Sequence, residues 1–181
     1  MTDDRNECRE SGGCPEITLD SAFIFDFETA QILAQIFYLK HHWLVTDFVE
    51  RELKTPNLPL LKQMGLSVVS LTSDQIKGVQ ALATDYIEPS IQDLSCLVYA
   101  RDNNISLVTR DGGLRRAARK EGVHVLDTHD VMIELVAEQV ITPDEAADAL
   151  EIIQKQRLLR PRNDWSALIK QWRKVPRKDG G

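Results

Sequence analysis

Apolar and polar positions along this chain switch repeatedly between short continuous runs and a three-to-four-residue spacing. Such switching predicts buried strands alternating with amphipathic helices. Five short runs read as strands: residues 16–19, 43–46, 66–71, 105–109 and 123–126. Between the first two lies a mostly apolar stretch, 21–40, with Phe23, Ile24, Phe27, Ile32, Leu33, Ile36 and Phe37. That is one long helix or a bent pair under the sheet, and His41-His42 reads as the loop corner that follows. Helices are also predicted over 47–54, 72–83, 90–104 and 111–121, with turn-rich TPNLP at 55–59 as a connector. Beyond the last strand, 127–140 is amphipathic. Thr142-Pro143-Asp144-Glu145 then starts another helix, with Thr as cap, proline in the first turn and Glu at the third position. A last short helix is predicted at 165–172. Strands alternating with helices indicate an α/β/α sandwich on a five-stranded parallel sheet. Three segments are expected: a loose 1–15, an α/β body at 16–140 and a helical extension with a basic tail at 141–175.

Two of these helices carry acids where the pattern is apolar. Leu94, Leu97 and Val98 share the register 90, 93, 94, 97, 98, 101 with Asp93. Val45, Phe48, Val49 and Leu53 share another with Glu52, while Glu50 points elsewhere. Two further acids stand directly after strands: Asp20 after the first and Asp111 after the fourth, behind Thr109-Arg110. In a parallel α/β unit, the end of a strand and the start of the preceding helix meet at one sheet edge. Open α/β sheets bind their ligands there.

Composition sharpens this picture in one respect. Net charge over the 181 residues is −6, but the first 154 residues carry −13 and residues 155–178 carry +8. An acidic body suits a metal site, and a basic tail suits a polyanion. The tail also holds Trp165 and Trp172, which are expected to pack on the body while some basic residues contact the polyanion. Three cysteines make an odd set, and Cys8 and Cys14 lack the further ligands of a zinc site. The chain reads as a reduced, cytoplasmic protein, with no apolar run long enough to span a bilayer and no signal peptide.

Asp20, Glu52, Asp93 and Asp111 each have a structural explanation. Asp is a favoured helix cap, Ser90-x-x-Asp93 resembles a capping box, and Glu52 could edge its stripe. Together at one edge they would repel unless a cation neutralised them, and oxygen donors suit Mg²⁺ or Mn²⁺. A phosphate-accepting receiver domain would also cluster acids. It needs paired acids ending the first strand and a lysine ending the last, where this chain has Leu19-Asp20-Ser21 and Leu126-Asp127.

LDSA, WLVTDFVEREL, PSIQDLSCLVYARDNNISLVTRD and LRRAARKEGVHVL in this order resemble a PIN domain. That nuclease family includes the toxins of VapBC-type toxin–antitoxin modules. The resemblance covers residues 16–140 and implies a Mg²⁺- or Mn²⁺-dependent ribonuclease leaving 5′-phosphate and 3′-hydroxyl ends. It matches Asp20, Glu52, Asp93 and Asp111 to the metal-holding and catalytic acids, and Thr109 to the polar residue before the last of them. Thr109, Arg110 and Arg115 are expected to meet the substrate. RNA, an antitoxin protein and a second copy of the chain are the expected partners. Where many members carry another acid or amide shortly after the final Asp, this chain has Gly112-Gly113. A non-catalytic RNA-binding scaffold with relict acids is the alternative.

Overall fold

The computed structural model describes residues 13–54, 57–156 and 165–174. The N-terminal segment before residue 13, and the tail residues at 157–164 and 175–181, lie outside it. β1 (Glu16–Leu19), β2 (His42–Thr46), β3 (Ser67–Val69), β4 (Ser106–Val108) and β5 (Val125–Leu126) form one sheet in the order β3-β2-β1-β4-β5. Every pair is parallel, with Thr18 opposite both Leu44 and Leu107. The chain is an α/β sandwich with helices added at its C-terminus.

The order of the sheet follows from right-handed crossovers. From β1 the chain builds outward through β2 to β3, then returns to place β4 and β5 on the other side of β1. Direction therefore reverses between β1 and β4, which opens a crevice at their carboxyl ends. Helix α1 (Ser21–Thr29) follows β1 and breaks at Gln31, whose φ is +58°. A 3₁₀ turn, Leu33–Tyr38, then completes the bent pair that the apolar stretch predicts. The Trp43 indole N–H, fully buried, donates to the Ile36 carbonyl at 2.8 Å and fixes that turn to β2.

After β2 come α2 (Asp47–Glu52) and α3 (Leu58–Met64). The connector expected at 55–59 is largely the start of α3. Asn57 caps it, Pro59 sits in its first turn, and Gly65 ends it with φ +112°. His42 is likewise a strand residue rather than a corner: its ring bonds Ser67 on β3 at 2.8 Å.

The return path is α4 (Ser73–Asp85) and α5 (Ile91–Asn103), each opened by a capping box. Helix α5 lies across β1, β2 and β4, with Leu94, Leu97, Val98 and Ala100 completely buried. Helix α6 (Gly112–Lys120) packs beside it.

Helices α7 (Thr128–Ala137), α8 (Pro143–Gln156) and α9 (Ser166–Trp172) complete the chain. Helix α8 packs on both α1 and α7, and α9 packs on α8. Trp165, Ile169 and Trp172 are buried there, while Arg173 forms ion pairs with Asp144, Asp148 and Glu151. Both tryptophans therefore belong to the core. Arg173 is held by the acids of α8, so that part of the basic tail neutralises the body. Cys14 is disulfide-bonded rather than free, and Cys96 is a buried thiol. Among the described residues no helix is long and apolar enough to cross a membrane.

Replacing Trp172 by Ala should cost about 3–5 kcal/mol, the usual penalty for emptying a large aromatic site. Urea denaturation should show this, whereas Arg173→Ala, removing an exposed ion-pair partner, should leave the midpoint nearly unchanged.

Candidate functional site

Asp20 follows β1 directly and is fully buried. Its two oxygens are held separately: the Phe23 N–H donates to Oδ1 at 2.7 Å and the Thr109 hydroxyl donates to Oδ2 at 2.5 Å. Burial raises its pKa from 3.8 to about 7. Those two hydrogen bonds work against the rise, the Asp93 carboxylate adds to it, and the Arg110 guanidinium opposes it. A carboxylate so placed is held between carrying a proton and needing a cation.

Thr109 connects Asp20 to the neighbouring turn. Its hydroxyl also accepts the Asp111 N–H at 3.0 Å, and Asp111 Oδ1 then accepts the Leu114 N–H at 2.8 Å to cap α6. Asp93 stands across the crevice at the start of α5. Its Oδ2 accepts the Ser90 N–H at 2.9 Å, and its own N–H donates to the Ser90 hydroxyl. Asp20 and Asp111 are thus N-caps, and Asp93 is the N3 partner of Ser90 in a capping box; Asp93 and Asp111 each spend one oxygen there. Asp93 Oδ1 and Asp111 Oδ2 accept no hydrogen bond among the described residues. Beneath them Cys96 donates to the Leu19 carbonyl. Burial, together with the charges of Asp20 and Asp93, pushes its thiol up to about 12, which leaves it inert.

The structure sets Glu52 apart. It is exposed, although Val45, Val49 and Leu53 of its expected stripe are buried. Val45 of that stripe lies in β2, and α2, capped by Thr46, lasts only six residues with Val49 as its one buried position, so no continuous helical stripe forms. Glu50 pairs with Lys62. The two arginines expected at the substrate are also engaged. Arg115 donates to Asp127 Oδ2 at 2.7 Å and to the Thr109 carbonyl at 3.2 Å, while Arg110 lies 3.0 Å from Asp26.

Three acids escaped the sequence reading. Asp127 ends β5 in the segment Leu126-Asp127-Thr128, which repeats the Leu-Asp-hydroxyl pattern of Leu19-Asp20-Ser21. It caps α7 and is buried. Asp26 is an acid between Phe25 and Phe27 in an apolar helix, a pattern that by itself signals a buried partner. Glu88 leans over Gly113 and is ion-paired with Arg116. A Cβ at 113 would come within 2.7 Å of Glu88 and 3.0 Å of Asp111, so the glycine lets these two carboxylates approach.

A family model described as DUF3368, PIN domain, matches residues 16–174. The chain belongs to the PIN-domain family. The match runs through α8 and α9, so the helices beyond β5 are part of the family pattern. Among solved structures, a PilT N-terminus domain protein from the archaeon Sulfolobus solfataricus P2 is similar at 8% identity. It covers 66% of this chain and 92% of its own, with a TM-score of 0.42. No curated protein matches.

PIN domains are generally metal-dependent nucleases, and the donors of this PIN domain suit that chemistry. Asp20 requires a positive charge, and two carboxylate oxygens beside it are free, all hard donors appropriate to Mg²⁺ or Mn²⁺. As placed, however, no three acidic, histidine or cysteine side chains among the described residues converge tightly enough to hold an ion.

The raised pKa of Asp20 has a consequence for stability. Between about pH 4 and 7 the unfolded chain has released this proton while the folded chain keeps it, so stability falls as pH rises through that window. Above pH 7 the penalty is complete, at most roughly 4 kcal/mol for a shift of this size. Asp20→Asn should therefore melt higher than wild type at pH 8 in chelator, with the advantage vanishing towards pH 4. Thermal melts across that range would show it.

Proposed function

We propose that this PIN domain is a Mg²⁺- or Mn²⁺-dependent ribonuclease that hydrolyses phosphodiester bonds in single-stranded or looped RNA. The observation that carries this reading is the buried Asp20 carboxylate, its pKa raised to about 7 by burial and further by Asp93, and bonded to Thr109, whose hydroxyl also accepts the Asp111 N–H. In this reading those three acids hold the metal, which supplies a water of lowered pKa and charge stabilisation at phosphate. The rest falls to the chain itself. Thr109 fixes the Asp20 carboxylate against Asp111. The caps of α5 and α6 hold Asp93 and Asp111 by one oxygen each, which leaves the other oxygen of each without a hydrogen bond among the described residues.

Substrate class is proposed from charge. Arg116, Arg119 and Lys120 stand exposed on α6, which begins at Asp111. Arg119 and Lys120 can track a phosphate backbone, a role that Arg110, Arg115 and Arg116 are less free to fill because carboxylates hold them. Unpaired RNA suits the site because its bases can be splayed away from the scissile phosphate. Glu52, lying outside the cluster, is proposed to act only once RNA or a second chain is bound. A cytoplasmic setting, a homodimer, and the toxin role of a toxin–antitoxin pair complete the proposal. An antitoxin arginine could compete for the same acids through bidentate pairing.

The second reading, a non-catalytic RNA-binding scaffold, is favoured by the lack of a converged three-acid site among the described residues. Metal dependence separates the two. A nuclease should cut a single-stranded RNA in Mg²⁺ or Mn²⁺ and stop in chelator. A scaffold should bind it equally in both and cut in neither. Asp93→Asn and Asp111→Asn should each reduce cleavage by at least about a hundredfold, as loss of a group acting on the transition state does. Circular dichroism should remain unchanged. Glu52→Gln should reduce it less, and wild-type rates in both Asp variants would reject the nuclease reading.

A further inference from the structure

Asp26 has no part in the chemistry described so far, yet it is held where a carboxylate is expensive. Its side chain is only 5% exposed, in the apolar body of α1. Facing it is Arg110, from the turn between β4 and α6, with Nε 3.0 Å from Asp26 Oδ2 and its own side chain 26% exposed. That N–H is not aligned for a hydrogen bond, so the contact holds by charge. Arg110 stands between Thr109, which is bonded to Asp20, and Asp111, which caps α6. Burial disfavours its charge, while Asp20, Asp111 and Asp127 favour it. One guanidinium thus pairs with Asp26 on α1 and lies in the field of three acids that follow β1, β4 and β5.

We infer that Arg110, anchored by Asp26, is the resident cation of this acidic edge and stands in for a second divalent ion, so that the site takes one ion only. The inference rests on the nuclease reading for what the acids bind, but concerns how many ions they bind and how tightly. Carboxylates packed at this density need positive charge. A divalent ion arriving at Asp20, Asp93 and Asp111 meets a partly neutralised cluster and the field of a fixed guanidinium. Arg110 therefore lowers the affinity for that ion and denies a second one its counter-charge. Asp26 tempers the effect, since it absorbs part of the guanidinium's charge from the side away from solvent.

The test is Mn²⁺ titration of the full chain, followed by electron paramagnetic resonance and calorimetry, for wild type, Arg110→Gln, Arg110→Lys and Asp26→Asn. Wild type should bind one ion, and Arg110→Lys, which keeps the charge, should do the same. Arg110→Gln should bind about tenfold tighter or more, or take up a second ion, because a unit charge is removed at close range. Asp26→Asn should bind more weakly, since the guanidinium is then less compensated. Equal affinity and stoichiometry for wild type and Arg110→Gln would overturn the inference. Should Arg110→Gln not fold, unchanged Mn²⁺ binding by Asp26→Asn would overturn it instead. Failure of wild type to cut RNA while these differences persist would reject the nuclease reading and leave the inference standing. Metal-dependent cleavage with equal binding by wild type and Arg110→Gln would do the reverse.

Discussion

The carboxylate of Asp20 is the constraint around which this site is arranged. It is buried at the end of the central strand, with two donated hydrogen bonds that do not offset the loss of water. Two neighbours answer that deficit in part. Thr109 is placed by β4 to donate to it, and Arg110 brings positive charge. Asp93 adds repulsion, a cost that a passive structural acid would not be expected to accumulate. The same burial silences Cys96 beneath it. A divalent ion resolves such a deficit better than a proton does, because it also neutralises the neighbouring acids.

The fold delivers these groups by topology rather than by local sequence. Asp20 and Asp111 lie far apart in the chain but end adjacent parallel strands, at the point where the strand order reverses. Asp93 joins them because α5 runs antiparallel to β4 and begins where β4 ends. Every one of these acids also terminates or opens a helix, so the capping and the metal-binding readings of one residue do not compete. Capping fixes one oxygen and leaves the other directed. Further out, α8 packs on α1, the helix that carries Asp26, and α9 packs on α8 with Trp165, Ile169 and Trp172 buried.

What the sequence discloses is what local periodicity and caps encode. β1, the box at Ser90–Asp93, the strand ends before Asp20 and Asp111, and α9 are all readable because each is set by neighbours within four residues. Helix α3 was hidden because Asn57-Leu58-Pro59 serves equally as a turn or as a helix start. The burial expected of Glu52 failed for a related reason: periodicity gives a register but not the residue at which the helix stops. Arg110 and Asp26 were illegible for a different reason. Their pairing spans more than eighty residues, and nothing local to TRD or to FIFDF says that the two meet. The cation that the acid count demanded is partly supplied from within the chain, which only the fold reveals.

The central claim is that Asp20 is a buried carboxylate in need of a cation. The most direct test is the ¹³C chemical shift of its carboxyl followed by NMR through pH, in chelator and in saturating Mg²⁺. The Asp20 carboxyl should titrate near pH 7 in chelator and at much lower pH when Mg²⁺ is present. Titration near the ordinary value of 3.8 in chelator, unmoved by Mg²⁺, would contradict it.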